Sequence, residues 1–560
     1  MKKNPCNLNI AQSIKLKEIE KIALKWGLLK KEIELFGHYK AKISLSAVNR
    51  FSEKRKGKYI LVTACTPTPL GEGKTSNTIG LSLAINKLGK KSVCCIRQPS
   101  LGPLFGTKGG GCGGGYSQVL PMEDFNLHLT GDNHAVSAAH NLLSAFIDNS
   151  LYFDNPLSID SSTITWKRVV DISDRFLRKI KLSLNEPQFE RESGFDIAVA
   201  SEVMSILSLS KNVADLKKRL ENIIVASDAA KKPVKAKDLK IAGAMAVLLK
   251  DAIKPNLLQT TEHTPCIVHG GCFANVSIGT NSILADYLGL GLSDYCVTES
   301  GFGADCGAEK FFDIKCRISG LRPDAAVVIC TVRALKIHSG RYKIRDGNLY
   351  KEDSIAVREG SCNLKKQIEN IKLFGVPVVV AVNKFDTDKE SEIEAIKEEA
   401  LAAGAEAVCV STVYKDGGRG AIELARAVIK ASAEKSRFKF LYSVNESIAA
   451  KIEKIAFSVY GAGEVTYSQK AEEAIEQLNK WGLDKLPVCM AKTQLSLSGD
   501  PKLKGCPRGF DLNIDRIYPA AGAGFITAIC GKINTMPGLP RNPVGHLADL
   551  KKDGTVRGLF

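Results

Sequence analysis

A glycine-rich segment that carries one lysine, residues 66–76, has the composition of a phosphate-binding loop. It follows an apolar run at 59–64 that is typical of a buried strand, and it opens a stretch at 74–88 that is typical of a helix. In that context glycine lets backbone N–H groups converge on phosphate oxygens, and the helix N-terminus adds about half a positive charge. Lys74 can neutralise β- and γ-phosphate oxygens, and the Thr75 hydroxyl is placed to reach Mg²⁺. The residues expected to contact the nucleotide are Thr68, Pro69, Leu70, Gly71, Glu72, Gly73, Lys74 and Thr75.

One position departs from the usual phosphate-loop pattern. The pattern G-x-x-x-x-G-K-T places glycine at position 68, where this chain has Thr68, and two prolines stiffen the loop. A chance glycine turn is the alternative interpretation, but the coincidence of strand, Gly-Lys-Thr and helix favours nucleotide binding.

A second candidate site begins at Arg97, directly after the next predicted strand at 92–96. Ligands of parallel sheets gather at the carboxyl ends of strands, so Arg97 is well placed for a second anion. Its planar guanidinium suits a carboxylate or an acyl phosphate. The glycine cluster at 106–115 would allow close backbone approach to a ligand, although a flexible surface loop is the alternative.

A third feature is the segment 383–386, which reads N-K-F-D after another predicted strand. In isolation this pattern is typical of the guanine-recognition loop of a GTPase. Alternatively, Phe385 presents a ring on which a flat heterocycle can stack, with Tyr414 as a second aromatic wall. Packing of either ring in the core or at a rim is the plainer alternative.

The turn at 298–305 also follows a predicted strand and is a candidate active-site turn. Glu299 in this turn could meet Mg²⁺ through water, or it caps the next element. Phe302, in the middle of the turn, is a candidate substrate contact.

Other candidate sites are weak. His128, Asp132 and His134 lie close together in sequence, but their spacing is a poor metal pattern, and structural hydrogen bonding is expected for them. The chain has no H-E-x-x-H, G-x-S-x-G or EF-hand motif, so a metalloprotease or serine-hydrolase function has no support.

The elements that must position these residues are short apolar runs that alternate with helical stretches. Residues 14–36, 389–403 and 444–460 are expected to be helices. The predicted strands are 59–64, 92–96, 196–200, 295–298, 325–331, 376–382 and 405–410. This alternation predicts an α/β fold, with a doubly wound, mainly parallel sheet of the P-loop type and additional smaller α/β domains.

The composition is that of a globular protein: 560 residues, of which 44% are hydrophobic and 25% charged. The longest strand-like apolar run, 376–382, is far too short to span a bilayer, and no signal peptide is evident. The sixteen cysteines are scattered and include no C-x-x-C pair. Buried, reduced thiols and a cytoplasmic location are therefore expected, without disulfides or a zinc site.

The net charge is +18, and residues 1–58 alone hold 15 basic against 5 acidic residues. An excess of this sign suits nucleic acid, an anionic membrane or anionic small substrates, and charge alone does not choose among them. A solvated helix face is the plain interpretation of the basic segment. It lacks the interleaved aromatic residues of a nucleic-acid stacking platform, which disfavours nucleic-acid binding.

Several motifs together closely resemble the formate–tetrahydrofolate ligase family. They are T-P-T-P-L-G-E-G-K-T at 66–75, R-Q-P-S-L-G-P at 97–103, K-G-G-G-C-G-G-G-Y-S-Q-V at 108–119 and L-T-G-D-N-H-A at 129–135. The resemblance continues through 194–197, 200–204, 254–257, 299–310, 490–494, 535–540 and 558–560. It covers nearly the whole chain from about residue 20 and resembles the single-activity form of the family.

The resemblance implies a two-step reaction: ATP and formate give formyl phosphate and ADP, and N10 of tetrahydrofolate then takes the formyl group. It implies that Lys74, the loop amides and Mg²⁺ stabilise the migrating phosphoryl group and that Arg97 holds formate and formyl phosphate. Phe385 and Tyr414 would flank the pterin, although the family commonly has Trp in place of Tyr414. It often has Glu in place of Gln98, which argues against an acid/base role there and leaves a polar contact to the folate.

The same resemblance implies activation by K⁺ or NH₄⁺, a homotetramer, and a place in one-carbon metabolism. The expected partners are the small-molecule substrates ATP, formate and tetrahydrofolate, with no nucleic acid and no membrane. The expected division is a basic helical segment at 1–58 packed on the main domain, a nucleotide and formyl phosphate domain at 59–365, a folate-site domain at 366–445 and a C-terminal α/β domain at 446–560. A P-loop GTPase-like switch or carrier is the alternative function.

Overall fold

A large, mainly parallel sheet with helices around it is the central feature of the computed structural model, a mixed α/β protein. The structure describes residues 6–54, 56–102, 111–184, 186, 189–531 and 533–559. Residues 106–110 of the glycine cluster lie outside the described residues.

The strands, numbered in chain order, fall into one large sheet and several smaller ones. They are β1 Ile33–Leu35, β2 Ala41–Ile43, β3 Lys58–Ala64, β4 Ser92–Ile96, β5 Gly113–Gly114, β6 Ser117–Leu120, β7 Arg168–Val170, β8 Ile180–Leu182, β9 Arg191–Ser193, β10 Phe195–Ile197, β11 Ile224–Ser227, β12 Pro233–Lys235, β13 Asn256–Thr260, β14 Pro265–Val268, β15 Tyr295–Glu299, β16 Ala325–Cys330, β17 Val378–Asn383, β18 Ala407–Ser411, β19 Glu464–Tyr467, β20 Val488–Ala491, β21 Asp511–Ala520, β22 Phe525–Cys530, β23 Asp549–Leu550 and β24 Val556–Arg557.

The large sheet runs in the order β1-β2-β13-β14-β4-β15-β3-β16-β17-β18, with β6 paired to β13 and β5 to β6. From β14 to β18 every neighbouring pair is parallel, whereas β13 and the edge strands β1 and β2 pair antiparallel. A second sheet near the C-terminus has the order β19-β21-β22-β20.

The α-helices connect these strands. They are Asn7–Ser13, Ile19–Lys25, Leu45–Ser52, Lys74–Lys87, Met122–Asn126, Asp132–Tyr152, Glu202–Leu209, Val213–Glu221, Ala242–Leu248, Ile283–Leu292, Arg317–Ser319, Val332–His338, Ser354–Leu373, Glu390–Ala402, Val413–Asp416, Ile422–Ala431, Ile448–Ile455 and Gln469–Lys480. Single π-helical turns occur at Ala304–Ala308, Phe311–Cys316 and Ala456–Tyr460.

The central strands are buried on both faces, as parallel strands covered by helices must be. All six residues of β16 and of β17 are buried, and so are six of the seven in β3. This explains why their sequences are continuous apolar runs without alternation. The predicted strands at 59–64, 92–96, 295–298, 325–331, 376–382 and 405–410 are confirmed within about two residues, as is the helix at 389–403.

The prediction of one helix over residues 14–36 is wrong. The helix spans only Ile19–Lys25, because Gly27 adopts φ +89° and turns the chain so that Leu28 becomes buried. Residues that continue the helical spacing in sequence then form the edge strand β1, and Gly37 lies in the turn before β2.

The predicted strand at 196–200 is also only partly right. Strand β10 ends at Ile197, and Ala198–Ala200 form a 3-10 turn that leads to Ser201, whose hydroxyl caps the next helix. Strand β10 pairs with β7 outside the large sheet. The helix expected at 444–460 begins later, at Ile448, and ends as expected at Gly461.

The cysteines agree with the expectation of buried, reduced thiols. All sixteen cysteines are free thiols and twelve of them are buried. Among the described residues we find no helix with the length and apolar character needed to cross a membrane.

Candidate active site

The carboxyl ends of six adjacent strands, β4, β15, β3, β16, β17 and β18, form one edge of the large sheet. The main candidate site residues from the sequence lie at or directly after these ends, whereas His128, Asp132 and His134 do not. Lys74 and its loop follow β3, Arg97 follows β4, and Phe385 and Tyr414 follow β17 and β18. Parallel strand order thus gathers residues from distant parts of the chain at one place.

The loop at residues 66–76 after β3, called the phosphate loop below because of the prediction from its sequence, has a backbone that suits an anion. Gly73 adopts φ +74° and caps the helix that begins at Lys74. A Cβ atom on Gly73 would collide with the Asn383 side chain, so glycine is required there for two reasons. The helix N-terminus therefore opens directly at the loop, where its N–H groups favour an anion.

The Glu72 side chain fixes the shape of this loop. Its Oε1 accepts hydrogen bonds from the Thr68 N–H and hydroxyl, both at 2.9 Å, and its Oε2 accepts one from the Thr331 hydroxyl at 2.7 Å. Thr68, which replaces the usual glycine, is accommodated because its hydroxyl takes part in these bonds. The loop is thereby tied to the end of β16 before any ligand binds.

The Lys74 ammonium lies among charged neighbours. Burial has the largest effect and lowers the pKa of Lys74. The positive charge of Arg97 also lowers this pKa, whereas the nearby carboxylates of Glu299 and Glu72 raise it. Among the residues that the structure describes, none forms a hydrogen bond or an ion pair with this ammonium. Its charge is therefore available to an anionic ligand at the loop.

Thr75 and Glu299 meet beside Lys74. The Thr75 hydroxyl donates to Glu299 Oε2 at 2.9 Å, and Glu299 is 4% exposed. A hydroxyl and a carboxylate are hard oxygen ligands of the kind that Mg²⁺ prefers. These two side chains fit a magnesium ion at a nucleotide phosphate.

Arg97 lies against the turn that follows β15. Its Nη1 is 3.5 Å from the Cys272 carbonyl oxygen and would be 3.5 Å from a Cβ atom on Gly301, and its buried Nε has no partner among the described residues. Gln98 is 2% exposed, and neither atom of its amide is hydrogen-bonded within the described chain. Polar groups left unpaired in this way are available to a ligand.

Phe385 and Tyr414 lie in different surroundings. The Arg333 guanidinium stacks over the Phe385 ring at 4.0 Å, and its Nη2 donates to the Leu70 and Gly71 carbonyls at 3.2 and 3.0 Å. Tyr414 is 42% exposed, and its ring packs against Gly114. The two rings do not contact each other within the described residues.

Asn383 in the N-K-F-D segment serves the phosphate loop. Its Nδ2 donates to the Glu72 carbonyl oxygen at 3.1 Å, while Asp386 is exposed. The amide that would read a guanine edge is thus engaged with the loop backbone. This contact gives the segment a structural role that does not depend on the base.

The turn after β15 carries Phe302 in a strained conformation, with φ +61°. Neighbouring bonds fix the turn: the Ser300 N–H donates to the Val62 carbonyl at 3.0 Å, and the Gly301 N–H donates to the Gly279 carbonyl at 2.8 Å. Phe302 is half-buried, and its neighbours Gly301 and Gly303 lie next to Arg97 and Thr66, respectively. A side chain held in this way is a reasonable ligand contact.

The structural role expected for the His128, Asp132 and His134 group is confirmed for Asp132. Its carboxylate pairs with the buried Lys42 ammonium at 2.7 Å and accepts from Asn256 Nδ2 at 2.8 Å. The one cluster of metal-ligand type among the described residues is Cys95, Asp286 and Cys296, where Asp286 is already paired with Lys315.

Sequence reasoning missed Arg333, which joins the phosphate loop to Phe385. It follows β16 by three residues, so the rule that placed Arg97 after β4 could have found it. Asn363 and Gln367, whose side-chain amides bond to Thr66 at the start of the loop, were missed as well, because an amide inside a helix gives no local signal.

The profile of the family described as formate--tetrahydrofolate ligase matches residues 5–560. Formate--tetrahydrofolate ligase 2 of Rubrobacter xylanophilus is 52% identical over 572 residues, covering 99% of this chain and 99% of the relative. Formate--tetrahydrofolate ligase of Roseiflexus sp. is 53% identical over 560 residues, again with 99% of each chain covered.

Proposed function

The chain belongs to the formate–tetrahydrofolate ligase family, and on that premise we propose that it joins formate to tetrahydrofolate at the expense of ATP. The products are 10-formyltetrahydrofolate, ADP and phosphate, and the intermediate is formyl phosphate. The observation that carries the proposal is the convergence of Lys74, Arg97 and the Thr75–Glu299 pair at one sheet edge. These groups suit the binding of two anions, ATP and formate, side by side so that they can react.

In the first step a formate oxygen attacks the γ-phosphorus of ATP, the bond to the β-phosphate oxygen breaks, and ADP leaves. Such transfers depend on positioning and charge neutralisation. The loop N–H groups and Lys74 would hold the phosphate oxygens, and the bonds of Glu72 keep the loop in place. Mg²⁺, when bound, supplies further positive charge at the phosphates, and Thr75 and Glu299 would hold it.

Arg97 is the proposed formate ligand. Its guanidinium can bind both oxygens of a carboxylate and then the same oxygens of the acyl phosphate. Gln98 beside it is an amide, so it can offer hydrogen bonds but cannot take or give a proton at neutral pH. A polar contact with the folate is its proposed role.

In the second step N10 of tetrahydrofolate attacks the formyl carbon, the bond from that carbon to the phosphate oxygen breaks, and the N10 proton passes to the departing phosphate. Phe385 and Tyr414 would flank the pterin, and Phe302 would contact the substrates from the turn after β15. The Arg333 guanidinium stacks on the Phe385 ring and would hold this ring in place before the folate binds.

Four further properties are proposed, the first two from the family likeness and the last two from the sequence. They are activation by K⁺ or NH₄⁺, a homotetramer, a cytoplasmic location, and the division of the chain into units at 1–58, 59–365, 366–445 and 446–560. Strands β17 and β18 of the proposed folate-site unit continue the sheet that carries the phosphate loop. The two proposed units therefore share one sheet.

ADP release measured with and without formate and tetrahydrofolate tests the proposed function. We expect rapid release only when both are present, and ATP preferred over GTP. Turnover that needs neither acceptor, or a strong preference for GTP, would favour the GTPase-like alternative.

A further inference from the structure

The first residue of the phosphate-loop segment, Thr66, is held by side chains from two other helices. Its N–H donates to Asn363 Oδ1 at 2.9 Å, and its carbonyl accepts from His338 Nε2 at 2.7 Å. Its hydroxyl oxygen accepts from Asn363 Nδ2 at 2.8 Å and from Gln367 Nε2 at 3.0 Å. All four residues are buried. The start of the loop is thus fixed by tertiary contacts.

Gln367 also holds the turn after β15, which carries Glu299 and Phe302. Its Oε1 accepts from the Asp305 N–H at 2.8 Å, and its Nε2 donates to Asp305 Oδ1 at 3.0 Å. One buried amide therefore bonds the phosphate loop on one side and the substrate turn on the other. Both N–H groups of that amide are used, one in each direction.

The outer ends of this network reach the segment after β20. The Lys492 ammonium pairs with Asp305 Oδ2 at 2.8 Å in a fully buried ion pair. Asn363 Nδ2 also donates to the Gly505 carbonyl at 2.8 Å, and the Gly505 N–H donates to His338 Nδ1 at 3.3 Å. His338 therefore carries its proton on Nε2, and burial lowers its pKa, so it is neutral. Lys492 and Gly505, in the segment after β20, therefore bond to the outer residues of the network.

We propose that Gln367 is a positioning residue that sets the distance between the phosphate loop and the substrate turn during phosphoryl transfer. The inference rests on the proposed function, since it assigns one side of Gln367 to the loop that holds ATP and the other to the turn that lies against Arg97, the proposed formate ligand. Gln367 touches no substrate. It acts through Thr66 and Asp305, which fix the two segments that do.

The physical reason is the strictness of the geometry that phosphoryl transfer needs. A misplacement of about 1 Å between the reacting groups can cost on the order of a hundredfold in rate. When the formate oxygen is out of line, water can take the phosphoryl group instead, and ADP forms without 10-formyltetrahydrofolate. A broken link should therefore lower the yield of product per ATP as well as the rate.

The test compares Gln367→Met with Asn370→Leu in the full-length enzyme. Methionine has a similar length but makes none of the three hydrogen bonds of the Gln367 amide. Asn370 lies on the same helix, is equally buried, and has no hydrogen-bond partner among the described residues, so its variant controls for a changed buried amide. Gln367→Glu, which keeps the acceptor for the Asp305 N–H but loses both donors, is a second variant of nearly unchanged shape. ADP, 10-formyltetrahydrofolate, kcat and each KM are measured, with thermal unfolding alongside.

For Gln367→Met and Gln367→Glu we expect kcat to fall roughly ten- to a hundredfold. The ratio of ADP to 10-formyltetrahydrofolate should rise clearly above one, and the KM for ATP should change much less. Asn370→Leu should keep the wild-type ratio. A wild-type ratio in both Gln367 variants, with only their stability reduced, would overturn the inference and leave the proposed function standing. Wild-type enzyme that releases ADP without needing formate would overturn the proposed function itself.

Discussion

The phosphate loop and the aromatic end of the site are held very differently. Thr66, Thr68 and Glu72 are buried and bonded to side chains from several elements. Phe385, by contrast, is half-buried under one guanidinium, and Tyr414 is 42% exposed. Both regions follow strands of the same sheet, so the difference comes from what surrounds each strand end.

This difference matches the tasks proposed for the two regions. Phosphoryl transfer needs charges fixed before the substrates arrive, because reorganisation during the reaction adds to the barrier. Stacking on a flat heterocycle tolerates small shifts, because the contact is broad and has little directional preference. Substitutions in the loop should therefore reduce the rate, and substitutions of the rings should reduce folate affinity.

Lys74→Ala should give the largest effect. Removing the ammonium that faces the phosphates should lower kcat/KM by about a thousandfold or more. Stability should stay near wild type, because no described residue bonds to this ammonium. Steady-state kinetics and thermal unfolding together check both statements.

Lys87→Ala is the matched control for that variant, since Lys87 lies in the last turn of the same helix and pairs with Glu262. It should keep nearly full activity. Equal losses in the two variants would mean that lysine at the loop has no special role.

The pH dependence of kcat/KM for ATP should reveal the titration of the Lys74 ammonium. Because burial lowers the pKa of Lys74 below its usual 10.5, the proton leaves at a lower pH than from an exposed lysine, and activity falls as pH rises through that pKa. In Lys74→Arg the positive charge persists to a pH of about 12. The fall of kcat/KM at alkaline pH should therefore occur at a higher pH than in the wild type, whatever the overall rate of the variant. An alkaline limb at the same pH in both enzymes would assign it to another group.

Phe385→Ala should give a smaller effect confined to the folate. Loss of the stacking ring should raise the KM for tetrahydrofolate about tenfold, while the KM for ATP changes little. Phe176→Ala, at a ring that is 87% exposed, is the control and should change neither. A similar rise in both Michaelis constants would break the separation between the two regions.

The parts of the site that sequence predicted best carry local signals. A strand, Gly-Lys-Thr and a helix in succession identify the loop at Lys74, and the position after a strand identifies Arg97. The long helix at 14–36 was wrong because its apolar spacing is continued by residues that pack in an edge strand. Apolar periodicity shows which residues are apolar, but it does not show which part of the protein these residues pack against.

The contacts that hold the loop could not be predicted in the same way. Asn363 and Gln367 stand in a helix far along the chain, and only the fold brings them to Thr66. The N-K-F-D segment was ambiguous for a related reason, since its meaning depends on the bond from Asn383 to Glu72. Side-chain networks between distant elements are the part of this site that needed the structure.

The central claim is that formate is phosphorylated to formyl phosphate, and the fate of a formate oxygen tests it most directly. The enzyme is given ¹⁸O-labelled formate, ATP and tetrahydrofolate, and the released phosphate is examined by mass spectrometry. If formate is phosphorylated at the loop, one labelled oxygen must leave with phosphate when N10 attacks the formyl carbon. Phosphate that carries no label while 10-formyltetrahydrofolate accumulates would contradict the formyl phosphate intermediate.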